Sequence, residues 1–61
     1  MKLKEFEKHL AKHGCKLLRE GSNHSIWVNT ANKKQTAVIR HNEIDNRLCK
    51  NICKQLDIPF A

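Results

Sequence analysis

Gly21-Ser22-Asn23-His24, leading into the apolar run Ile26-Trp27-Val28, is where this chain sets a proton-transfer group on a firm support. A histidine titrates near neutrality, and a tight turn feeding a strand holds it stiffly enough to act. From Gly21 to Asn42 there is no Asp or Glu, yet the stretch carries His24, Lys33, Lys34, Arg40 and His41. An anion meets attraction and no repulsion there, so phosphate chemistry is the expectation. The amides of Gly21, Ser22 and Asn23 are available to face that anion.

The chain holds no paired carboxylates, no glycine-rich phosphate loop and no zinc-ligand spacing, so any chemistry is expected to need neither metal nor cofactor. RNA is the substrate for which so sparse a site suffices. Its 2′-hydroxyl is a built-in nucleophile beside the scissile phosphate. The protein need only move a proton, worth ~10²–10⁴-fold from a positioned histidine, and stabilise charge on the phosphate. His24 is the expected catalytic residue. Arg40 is expected at the phosphate, with Lys33 and Lys34 gripping the RNA backbone. A solvated hairpin tip is an equal reading of the two lysines.

Other chemistry-bearing residues have plainer readings. His41 reads first as the lead into the next element, with a second proton-transfer group as the alternative. His9 and His13 lie four apart on a helix, but no third ligand follows and the neighbouring lysines repel a cation. Trp27 reads as a core anchor in preference to a base-stacking platform. Cys15, Cys49 and Cys53 read as small buried hydrophobes in a reducing cytosol.

These residues need elements to position them, and size limits the choice. The 61 residues suit one domain spanning 1–61, with twelve Lys and Arg against six Asp and Glu, a net charge of +6. A chain this short buries only about 60% of its unfolded surface, enough for two helices on a small sheet. The basic excess favours a polyanion or an acidic protein partner. No apolar run approaches the roughly 20 residues of a membrane span, and the amino terminus lacks a signal-peptide pattern.

Leu3, Phe6, Leu10 and Ala11 predict an amphipathic helix closed by Gly14. Strands are predicted over Cys15–Arg19, His24–Asn29 and Gln35–Arg40, joined by the Gly21-Ser22-Asn23 turn and a polar hairpin at Thr30–Lys34. Ile44, Leu48, Ile52 and Leu56, with Cys49 and Cys53 beside them, predict a second helix to Leu56. Asn42, Asp45 or Asn46 would cap it and Pro59 would bar its extension. The expected fold is α+β, a two-layer α-β-β-β-α sandwich whose three-stranded antiparallel sheet carries both helices on one face. His24 and Trp27 then have opposite parity, His24 outward and Trp27 inward, unless a bulge intervenes.

Taken together, the first helix ending in Gly14, then Gly21-Ser22-Asn23-His24-Ser25-Ile26-Trp27, Arg40-His41, and Glu43-Ile44 followed by Leu48–Ile58 resemble the HicA family. Its members are small toxins of bacterial toxin–antitoxin pairs. The resemblance implies a double-stranded-RNA-binding-domain-like fold, cytoplasmic mRNA cleavage, and a HicB-type antitoxin that covers the active-site histidine. That histidine maps onto His24. Asn23 separates the Gly-Ser pair from the histidine, where many members have no such residue, and Ile39 stands where proline is common.

Two other readings compete. One is a non-catalytic RNA-binding module of the same fold, against which Asn42-Glu43-Ile44-Asp45 puts two acids where duplex-binding modules present lysines. The other is a structural protein that docks its basic surface on an acidic partner.

Overall fold

The computed structural model describes residues 1–60, in the order α1 (Leu3–Lys12), β1 (Cys15–Glu20), β2 (His24–Asn29), β3 (Gln35–Ile39) and α2 (Asn46–Leu56). The sheet is antiparallel in the order β1-β2-β3, so β2 is central. Its buried face carries Cys15, Ser25, Trp27, Asn29 and Val38, with α1 packed against β1 and α2 against β3. One cluster of ten buried residues forms the core, built around Phe6, Leu10, Trp27, Val38 and Leu56. The α-β-β-β-α sandwich predicted from patterning is the observed fold.

No side chain caps the start of α1. The orphan amide of Leu3 is satisfied by Asn42 O at 2.9 Å, and Ile44 N donates to Met1 O at 2.8 Å. These bonds lash the first turn of α1 to the segment between β3 and α2. At the other end Gly14 adopts φ +83°, a conformation that L side chains strain to reach.

α2 begins later than its apolar spacing suggested. Asp45 is the cap, accepting from Arg47 N at 2.9 Å, so Ile44 is buried ahead of the helix. The buried stripe is Cys49, Ile52, Cys53 and Leu56, whereas Leu48 is 38% exposed. At 100° per residue Leu48 stands roughly a quarter turn from the centre of that stripe. Asp57, at φ 59°, ends the helix two residues ahead of Pro59.

Buried Asn29 joins the two layers. Its Nδ2 donates to Leu56 O at 2.7 Å, and its Oδ1 accepts from Ala31 N at 2.9 Å. One side chain thus closes both the last turn of α2 and the β2–β3 hairpin. Asn29→Ala removes the acceptor of Ala31 N and one of two donors to Leu56 O, which keeps Asn32 Nδ2 at 3.2 Å, so a loss of about 1–3 kcal/mol is expected. In a domain this small each kcal/mol lowers the melting temperature by roughly 4–8 °C, a drop thermal unfolding will register.

The three cysteines are buried free thiols. Burial, with Cys49 and Cys15 alongside, pushes the Cys53 thiol up to about 11, so they behave as packing groups.

Candidate active site

β2 is unbroken, so its side chains alternate strictly. Ser25, Trp27 and Asn29 face the helices, and His24, Ile26 and Val28 face the open side of the sheet. His24 is exposed and Trp27 only 7% exposed, as their parity predicted. His24 is the first residue of the strand and pairs across the sheet with Ile39.

The turn that delivers it is held from two sides. Gly21 N donates to His24 O at 2.7 Å, and Arg40 N donates to Asn23 O at 3.1 Å. The amides of Ser22 and Asn23 have no hydrogen-bond acceptor among the described residues and so can serve an anion. A Cβ on Gly21 would lie 3.2 Å from His24 O, tight enough to shift it by a few tenths of an ångström. Gly21→Ala is therefore expected to lower any activity of His24 by about tenfold while the protein stays folded. The scale follows from the roughly 10²-fold cost of a 1 Å misplacement. Turnover measured beside a melting curve checks it.

Arg40 sits at the turn, where its guanidinium donates to Gly21 O at 3.3 Å. It also lines a cleft of about 530 Å³ with Lys2, Lys4, Glu7, Glu20 and Glu43. Glu20 pairs with Ser25, whose side chain is on the helix side, so that cleft opens on the side of the sheet away from His24. Arg40 braces the turn from beneath while the imidazole projects from above. The acid-free window of the sequence is thus flanked by carboxylates in space, on the side His24 does not face.

Lys33 and Lys34 lie in the β2–β3 hairpin, beyond the far end of β2. Five residues at roughly 3.3 Å each put that hairpin about 16 Å from His24. The two lysines and the histidine cannot share one phosphate. His41 is exposed in the connection from β3 to α2. His9 holds the chain end, its Nε2 lying 2.7 Å from Pro59 O and its ring against Phe6 and Phe60.

β1 adds what sequence patterning missed. Leu17 pairs with Trp27, but the next partner of Ile26 is Arg19, so Leu18 is the extra residue of a bulge. Arg19 consequently shares the open face with His24, as does Lys16 opposite Val28. The strand residues of that face are Lys16, Arg19, His24, Ile26, Val28, Gln35, Ala37 and Ile39, none of them acidic.

Fold and site together define a small basic α+β domain with one uncovered, carboxylate-free sheet face, a histidine at its corner. The chain matches, over residues 3–58, the family model described as the HicA toxin of bacterial toxin-antitoxin, and it belongs to that toxin family. Neither the comparison with curated proteins nor that with solved structures finds a match. Among the described residues no helix is long and apolar enough to cross a membrane.

Proposed function

We propose that this toxin is a metal-independent endoribonuclease acting on mRNA in the cytoplasm, with His24 as its proton-transfer residue and a HicB-type antitoxin as its inhibitor. The observation that carries this reading is the exposed imidazole at the head of β2, on a sheet face with cations and no carboxylate. The 2′-oxygen of the substrate attacks phosphorus, forming one P–O bond as the bond to the 5′-oxygen breaks. The proton lost by the 2′-hydroxyl is carried by His24 to the departing 5′-oxygen, so the upstream fragment ends in a cyclic phosphate. Cations around the phosphate stabilise the charge that builds on its oxygens.

Arg40 serves this chemistry by fixing the turn that carries His24, and the turn amides supply neutral donors. Lys33 and Lys34 engage the RNA several nucleotides from the cut, given their separation from His24. A duplex-binding module without catalysis is disfavoured, because Asp45 is committed to capping α2 and Glu43 borders the adjoining cleft. An antitoxin with an acidic, partly apolar surface suits the open face, where Ile26, Val28 and Ile39 are half-buried among the cations.

Purified protein incubated with mRNA in EDTA tests the reading. Cleavage with 2′,3′-cyclic phosphate and 5′-hydroxyl ends is the expected result. Intact RNA, or cleavage that stops on chelation, overturns it.

A further inference from the structure

Arg19 belongs to no motif, and its role is set by the bulge at Leu18. Its Cα pairs with Ile26, two residues along β2 from His24, which makes Arg19 and His24 diagonal neighbours on the open face. Such neighbours stand about 7–8 Å apart, close enough for an arginine side chain and an imidazole to converge on one tetrahedral anion. Among the described residues Arg19 makes no ion pair and no side-chain hydrogen bond, whereas Arg40 donates to the turn. The acid nearest in sequence, Glu20, faces the helix side.

We infer that Arg19 and His24 form one phosphate-binding site, in which the Arg19 guanidinium grips the non-bridging oxygens of the scissile phosphodiester while His24 moves the proton. Lys16, next along the same face of β1, extends the cationic track to a neighbouring phosphate. A guanidinium suits the task because its fork offers two parallel N–H donors to two phosphate oxygens, and it stays charged at any working pH. The chemical role assigned here to Arg19 rests on the ribonuclease reading above; its contact with phosphate does not.

Two measurements separate the two ideas. In the first, cleavage of a defined RNA is followed for wild type, Arg19→Ala, Arg19→Lys and Lys8→Ala, the last removing the same charge from the exposed side of α1. Arg19→Ala is expected to lose about 10²–10³-fold in kcat, the scale of a lost charge-stabilising donor, with a smaller change in KM. Arg19→Lys should recover only part of that loss, and Lys8→Ala should stay within a few-fold of wild type. Arg19→Ala no slower than Lys8→Ala would refute the assignment.

The second measurement uses a 2′-O-methyl RNA oligomer, which lacks the nucleophile and cannot be cut. Affinity is measured against salt concentration for the same proteins. Arg19→Ala should flatten the logarithmic salt dependence by about 0.7–0.9, the share of one phosphate contact, relative to Lys8→Ala. An unchanged slope rejects the phosphate contact. A flattened slope in a protein that cuts no RNA keeps the contact and discards the ribonuclease reading.

Discussion

His24→Ala is expected to reduce RNA cleavage by about 10²–10⁴-fold while leaving the fold and its melting temperature intact. The size of the loss is that of a positioned general acid–base group, because His24 is the one histidine among the strand residues of the open face. Stability is spared because the ring is exposed and the backbone, not the side chain, holds the turn: Gly21 N bonds to His24 O. Exposed substitutions of this kind stay within about 0.5 kcal/mol. Kinetics on the variant, with circular dichroism as the check on folding, decide the matter. Cleavage at the wild-type rate would remove the imidazole from the mechanism.

Phe6→Ala should abolish activity by the opposite route. Phe6 is fully buried in the single core cluster, against His9 and the sheet. Truncating such a side chain costs about 3–5 kcal/mol. A domain of this size holds only ~3–9 kcal/mol in total, at roughly 0.05–0.15 kcal/mol per residue. The variant is therefore expected to be largely unfolded at 37 °C, with a flattened unfolding transition and collapsed amide dispersion in NMR spectra. A cooperative transition close to that of wild type would show that the core tolerates the void. Expressed in bacteria, both variants should relieve any growth arrest, but only His24→Ala should still bind its antitoxin.

The facing of His24 and Trp27 was legible because β2 is the regular central strand, where parity carries through without interruption. β1 concealed its pattern. Leu17-Leu18-Arg19-Glu20 offers no glycine or turn residue to announce a bulge, so Arg19 and Glu20 could not be assigned to faces. The cleft around Arg40 was equally hidden, since Lys2, Lys4, Glu7, Glu20 and Glu43 come from separated segments that only the topology gathers. In α2 the run of Ile44, Leu48, Ile52 and Leu56 was only half a guide: Ile52 and Leu56 are buried as expected, but Asp45, one of the expected caps, starts the helix after Ile44, and Cys49 and Cys53 share the inward stripe while Leu48 turns outward.

The bulge decides which charge stands beside the imidazole. Were β1 to pair regularly with Leu18 retained, Leu18 would take the place opposite Ile26 and the last two residues of the strand would slide by one. Arg19 would turn beneath the helices and Glu20 would stand directly across from His24. A slip of one residue in pairing, with no residue lost, would swap cation for anion beside the imidazole and leave a face that repels phosphate.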